Sequence, residues 1–286
     1  MSDFQLDLQR VTVPDATTRS GIVLAVQRIT LPRTTQAASA RPAPSASAAA
    51  GTSPTMVFLH ESLGCIETWR EFPAFLAEAA GLDAIVYDRL GYGLSAPMPD
   101  TPRGLDYLHI EAERLFRLLD ILGIGEVVLF GHSDGGSIAL LAAAMQPQRV
   151  RAVITEGAHV FVEEETLEGV RIAQALMAKT DLPVRLARYH GDKVARLTAA
   201  WIDTWLSPGF RDWNIETSLR AARCPALIIQ GEADEYGTPA QVEAIVKGWG
   251  GTAEALLLPG ARHTPHREAT KAVMAATTAF LATALA

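Results

Sequence analysis

Cysteine is scarce in this chain: two residues in 286, Cys65 and Cys224. Two thiols build neither a disulfide framework nor a four-ligand zinc site. No apolar stretch approaches the ~20 residues that span a bilayer, so no membrane partner is expected. The opening residues MSDFQLDLQR hold no apolar signal core, and a cytoplasmic location is expected. Basic runs are missing and the net charge is −7, which argues against a nucleic-acid partner. Metal-ligand spacing is missing too: His263-x-x-His266 lies on a proline-containing loop without further ligands. Gly91 and Gly93 lack the third glycine that opens a helix in a dinucleotide fold. No metal, no cofactor and no internal repeat are expected. What the chain has is apolar mass, 49% hydrophobic against 20% charged. That suffices for a large core, as one domain with an insertion or two small domains.

Residues 4–13 and 21–31 alternate apolar and polar around a polar turn, Pro14 to Ser20, and read as an antiparallel hairpin. Residues 33–53, RTTQAASARPAPSASAAAGTS, have almost nothing to bury and read as a disordered or loosely held loop. TMVFLH (55–60) reads as a buried strand, 67–80 as a helix, and GLDAIVYDR (81–89) as another strand. Leu105, Leu108, Ala112, Leu115, Leu119 and Leu122 recur at three- and four-residue steps, forming one helix stripe that Gly123 ends. Strand 150–158 follows the next strand–helix unit. This alternation predicts an α/β fold with a parallel doubly wound sheet. Residues 160–220 break the rhythm with helical spacing, many charges and the cluster Tyr189, His190, Trp201, Trp205, Phe210 and Trp213. They read as a helical cap over a crevice, dividing the core into 1–159 and 221–286, with a last helix over about 266–284.

The chemistry concentrates in three loops. EVVLFGHSDGGSIAL (126–140) is an apolar run, then Gly-x-Ser-x-Gly, then helix-forming residues. Set between a strand and a helix, this is a nucleophile elbow: a tight turn that exposes the hydroxyl of Ser133, with Gly131 and Gly135 leaving room where a Cβ would clash. PALIIQGEADEYG (225–237) ends a strand at Asp234, and AEALLLPGARHTPH (253–266) ends another at His263. A serine hydroxyl is a poor nucleophile at neutral pH and needs a base, which His263 supplies; Asp234 would orient the imidazole. Strand ends of a parallel sheet converge on one crevice. Glu235 and Glu156 compete as the acid, and His266 as the base. Pro265 places His266 at a helix start, where it would cap or pack. His60 and His132 read as structural. His159, Trp201, Trp205 and Tyr236 are candidates for the substrate wall, against plain core or surface roles. Cys65 lies near the site without a matching histidine loop, and Cys224 reads as a small core residue.

With these residues the chain resembles the α/β-hydrolase superfamily, and among them bacterial serine hydrolases with a helical cap, over residues 20–286. FLHESLGC (58–65) is similar to the oxyanion loop, YDRLGYGLS (87–95) to the D-x-R-G-x-G-x-S turn with Leu90 departing from it, and GHSDGG to the elbow. Ser133, Asp234, His263 is the family's chain order. The resemblance implies a mostly parallel doubly wound eight-stranded sheet with an inserted cap. It also implies an oxyanion hole made by the backbone N–H groups of Ser62 and Asp134. Many relatives have His-Gly where this chain has His60-Glu61. Because a carboxylate beside the hole would weaken it, Glu61 is expected to turn away toward a cation such as Arg89 or Arg70.

The expected activity is hydrolysis of a small or medium ester, lactone or thioester through an acyl-enzyme, with a small-molecule acyl substrate as the partner. The oligomeric state stays open, a homodimer among the options. Serine at the elbow excludes the epoxide-hydrolase and haloalkane-dehalogenase chemistries, which need a carboxylate there. Three alternatives remain: carbon–carbon cleavage of aromatic ring-fission products; amide cleavage as in proline iminopeptidases, with Glu163, Glu164 and Glu165 holding the substrate amine; and a non-catalytic small-molecule receptor.

Overall fold

The computed structural model describes residues 4–15, 18–32 and 53–286. The hairpin is β1 (Gln5–Asp15) and β2 (Thr18–Thr30), paired antiparallel. Both arms run into the Pro14–Ser20 stretch expected as the turn. Pro14 is accommodated at a register shift between Val13 and Asp15 on the sheet edge, where a strand tolerates the missing N–H. All of the Ala/Ser/Pro segment 33–53 except Ser53 lies outside the described residues.

Six further strands follow: β3 (Thr55–Leu59), β4 (Ala84–Tyr87), β5 (Val127–His132), β6 (Val150–Glu156), β7 (Ala226–Gly231) and β8 (Ala253–Leu258). The eight strands make one sheet in the order β1-β2-β4-β3-β5-β6-β7-β8. Pairing is parallel from β4 through β8 and antiparallel at β1–β2 and β2–β4. The doubly wound arrangement expected from the sequence is present. Along each strand, alternate residues feed two cores. Val57, Ile85, Leu129 and Val153 pack on one face, and Met56, Phe58, Val86, Phe130 and Ile154 on the other.

The second face is covered by α1 (Phe72–Ala80) and, at the chain's end, α10 (Thr270–Ala284). The first is covered by α2 (Tyr107–Ile121), α3 (Asp134–Met145) and residues of the later helices. The expected helix 67–80 is interrupted: a single turn Ile66–Trp69 ends at Arg70, φ 54°, before α1 begins. Likewise the last helix divides into α9 (Pro265–Glu268) and α10. The α2 stripe is buried from Leu108 to Leu119, Leu122 is partly buried just past the helix end, and Leu105 is outside the helix and exposed. Gly123, at φ 67°, turns the chain out of α2 as expected.

Between β6 and β7 the chain makes a helical excursion: α4 (Glu164–Lys179), α5 (Leu182–His190), α6 (Val194–Trp205) and α7 (Glu216–Leu219); α8 (Pro239–Gly248) then follows β7. A bridge between Phe161 and Asn214 and the Ile215 N–H to Val160 carbonyl bond, 2.8 Å, pin its two ends together. Among the described residues no helix is long and apolar enough to cross a membrane.

Candidate active site

Strand β5 delivers Ser133 to the end of the sheet at φ 55°, ψ −119°, a strained geometry for a residue with a Cβ, costing of order 1–3 kcal/mol. Its surroundings impose it. The Ser133 N–H donates to the Glu156 carbonyl at 2.8 Å, and its carbonyl accepts from Ser137 at 3.0 Å. A Cβ on Gly131 would strike the Gly135 carbonyl, and one on Gly135 the Leu59 carbonyl, so the turn closes only with glycine at both places.

Asp234 and His263 come from the loops after β7 and β8. Nδ1 of His263 lies 2.8 Å from Oδ1 and 3.0 Å from Oδ2 of Asp234, and the Tyr236 N–H donates to Oδ1 at 2.8 Å. Burial works against the Asp234 carboxylate, yet the imidazole beside it and these hydrogen bonds hold its pKa below the usual value. With Nδ1–H given to the carboxylate, Nε2 keeps its lone pair. Ser133 and His263 line one cavity of about 270 Å³. No hydrogen bond joins them in this structure, and such pairs are often loose without substrate. Gly157, φ 55°, makes the room: a Cβ there would stand 2.9 Å from His263 Nδ1 and 3.3 Å from Asp234 Oδ2.

Ser62 lies buried on the same cavity, and Asp134 opens α3. Neither backbone N–H has a hydrogen-bond partner among the described residues; for Asp134 this is the ordinary state of a first helical N–H. The expectation for Glu61 needs correction. Arg89 donates to the Glu61 carbonyl at 3.0 Å, not to its carboxylate, and Arg70 is not its partner. The carboxylate instead faces Nδ1 of His132 at 3.5 Å. It folds back over Gly64, where a Cβ would collide with it.

The Asp134 side chain is held by groups that sequence reasoning missed. The Tyr107 hydroxyl donates to Oδ1 at 3.0 Å, Arg89 Nη1 lies 3.5 Å from Oδ2, and Trp205 Nε1 donates to the Tyr107 hydroxyl at 3.0 Å.

All four wall candidates border the cavity, together with Leu63, Thr166 and Val170. The Tyr236 ring is 4.7 Å from that of His263, and the His159 ring packs edge-on against Trp205 at 5.3 Å. His159 is buried, its Nε2 donates to the Tyr236 carbonyl at 3.0 Å, and burial with the nearby His263 lowers its pKa. Among the described residues no lysine or arginine lines this cavity. Of its acids, Glu61 faces His132, Asp134 is held by Tyr107 and Arg89, and Glu235 pairs with Arg262 at 3.1 Å.

The rival acid and base occupy one another. His266 Nδ1 and Glu156 Oε2 are 2.7 Å apart, both buried and off the cavity. Cys65 is buried off the cavity too, and burial pushes its thiol up to about 12; a thiol held protonated is a poor nucleophile. Two members of the acidic run, Glu163 and Glu164, are committed elsewhere. Glu163 accepts from the Thr238 N–H at 3.0 Å and Gln241 Nε2 at 2.7 Å, and Glu164 pairs with Arg171 and Arg211. Among the described residues no group of His, Cys, Asp and Glu is arranged to hold a metal.

Residues 54–191 match the family described as alpha/beta hydrolase fold. The human "Serine hydrolase BPHL" is 32% identical over 192 residues, 64% of this chain and 63% of that protein. The chain thus spans a little under two thirds of that relative's length. A bacterial membrane phospholipase A superposes with TM-score 0.72 at 19% identity, covering 98% of this chain and 86% of the other. A thermophilic esterase from Thermogutta terrifontis does so with TM-score 0.66 at 20% identity, covering 96% and 99%.

Proposed function

Since the chain belongs to the α/β-hydrolase superfamily, we propose that it is a serine hydrolase cleaving a compact, uncharged carboxylic ester, lactone or thioester. The Asp234–His263 hydrogen bond, on the cavity that also holds the strained Ser133, carries this reading. Ser133 attacks the acyl carbon while His263 Nε2 takes its proton, and Asp234 steadies the imidazolium that forms. The oxyanion rests on the free N–H groups of Ser62 and Asp134; losing one such donor typically costs about 10²–10³ in rate. His263 then protonates the leaving group and activates the water that frees the acid. The helices of residues 160–220 act as a cap, closing the crevice with Trp201 and Trp205.

The wall supports the substrate class. It is aromatic and aliphatic around a few polar groups, as small-molecule sites are, and among the described residues it offers no lysine or arginine to a substrate carboxylate. This weighs against anionic ring-fission products. Likewise Glu163 and Glu164, already paired, offer little to a free amine. Initial rates on p-nitrophenyl esters from acetate to decanoate, with wild type beside Ser133→Ala, test the reading. Serine-dependent turnover with a short-chain optimum is expected. Turnover unchanged in Ser133→Ala would refute the nucleophile, and folded wild type inert toward every ester would favour carbon–carbon cleavage or a binding role.

A further inference from the structure

One imidazole joins the elbow, the oxyanion loop and the loop of the base. His132 precedes Ser133 on β5, its Nδ1 faces Glu61 Oε2 from the oxyanion loop at 3.5 Å, and its Nε2 lies 2.7 Å from the His263 carbonyl oxygen. No other hydrogen bond to that carbonyl comes from the described residues. We propose that Glu61 and His132 are positioning residues, an ion pair through which the oxyanion loop fixes the loop carrying the base. This rests on the hydrolase reading above.

A carbonyl accepts only, so Nε2 must carry a proton. A neutral ring would then turn the bare lone pair of the buried Nδ1 toward a carboxylate; an imidazolium turns an N–H⁺ toward it instead. At 3.5 Å Glu61 Oε2 is within ion-pair reach of Nδ1 without a hydrogen bond to it, and no other group serves this buried nitrogen among the described residues. The surroundings favour the charged pair. His132 is faced by Glu61, by Glu156 from β6, and by the rings of His263 and His266 at 5.1 and 5.2 Å, with Trp69 beyond. Burial opposes its charge, but Glu61 and then Glu156 outweigh burial and raise its pKa; burial opposes charge on Glu61 too, and His132 outweighs it. Sequence and packing agree, since Gly64 is what lets the Glu61 side chain fold back under the loop. Without the pair the His263 loop would lose its tie to the elbow, and misplacement of a base by about an ångström costs roughly 10²-fold.

Two measurements test this. In wild type carrying ¹⁵N-histidine, His132 should show both ring nitrogens protonated at pH 7, and Glu61→Gln should move its titration to lower pH. Ser133 modification by an organophosphonate, which needs the nucleophile and base but no particular substrate, is followed alongside ester turnover. Glu61→Gln and His132→Leu should slow both by about 10- to 100-fold, with KM changed less than about twofold. His132→Gln, whose amide can still reach the His263 carbonyl, should recover most of the loss. Glu61→Gln/His132→Leu should be no slower than the worse single variant, as for groups acting as a unit. Gly64→Ala, which displaces the carboxylate, should copy Glu61→Gln. A neutral His132 at pH 7 in wild type, or multiplying single effects, would overturn the proposal. This holds even if His132→Leu fails to fold. Wild type that resists modification would overturn the hydrolase reading and this one together; modified wild type with unchanged rates in every variant overturns this one alone.

Discussion

Trp205, at the end of α6, donates its indole N–H to the hydroxyl of Tyr107, at the start of α2, at 3.0 Å. That hydroxyl in turn donates a hydrogen bond to the Asp134 carboxylate at 3.0 Å. A helix of the excursion over the cavity is thereby wired to the residue whose N–H is the proposed oxyanion donor. The chain of bonds is buried, and buried polar networks specify position because every member left unpaired is costly.

Tyr107→Phe keeps the ring and its packing against Phe210, 6.1 Å between centroids, but strands the Trp205 N–H and one Asp134 oxygen. An unsatisfied buried group costs about 1–3 kcal/mol. The expected outcome is a melting temperature lowered by a few degrees and a fall in kcat larger than any change in KM. Equal stability and equal kcat would show that the two helices hold their places without this link.

The proposed acid and its rival make opposite predictions. Asp234→Asn leaves His263 in the wrong tautomer and should lower kcat by about 10⁴-fold, the cost seen for that change in another serine triad. Glu156→Gln breaks the buried His266 pair and removes the lesser of the two carboxylates facing His132; it should destabilise by about 1–3 kcal/mol while leaving kcat within a few-fold. Rates on one ester and a thermal melt for each variant separate the two roles. A collapse of kcat in Glu156→Gln with Asp234→Asn active would exchange them.

What was legible in the chain follows from how local each cause is. Ser133 stood out because the elbow needs glycine two residues either side, and the alternating helices and strands announced a doubly wound sheet. Arg70 at φ 54° carries no such mark, so one expected helix is two. The partner of Glu61 was sought among cations, although a histidine made cationic by the same carboxylate serves, 71 positions away on another strand. Tyr107 lies on the buried face of α2, but nothing in the pattern of the helix announces that its hydroxyl meets a carboxylate. Both contacts exist only because strand order brings distant segments together.

Gly157 tests the fit around the base. Alanine there must adopt φ 55° and set its Cβ 2.9 Å from His263 Nδ1. Strain at a non-glycine left-handed position costs of order 1–3 kcal/mol. The crowding also displaces the imidazole from the position it holds against Asp234. Gly157→Ala should fold with a lower melting temperature and lose about 10- to 100-fold in kcat. Wild-type kcat in this variant would mean that the His263 ring has room the structure does not show.

Acid should unfold the protein earlier than its carboxylates alone require. His60, His159 and His190 are buried, and burial lowers the pKa of each. Two are locked as neutral tautomers. His190 accepts from the Gly93 N–H and donates to the Leu63 carbonyl, both at 2.9 Å; His60 accepts from the Arg89 N–H at 3.0 Å and donates to the Glu61 carbonyl at 2.7 Å. With folded values below the unfolded 6.5, these groups contribute stability that is full above that pH and lost below it, as the unfolded chain binds protons the native one refuses. Each adds a slope of at most about 1.4 kcal/mol per pH unit. His132 has the opposite sign: its contribution is full below 6.5 and is lost only as pH rises through its raised folded value, so it does not offset the loss. Asp234, with its lowered value, adds to the loss only as pH approaches the ordinary carboxylate range. Melting temperatures from pH 8 to 4.5 should hold steady, then fall steeply below about 6.5, and His190→Gln should flatten that fall. A melting temperature constant from pH 7 to 5 would show that these three rings are protonated in the folded protein as readily as in the unfolded one.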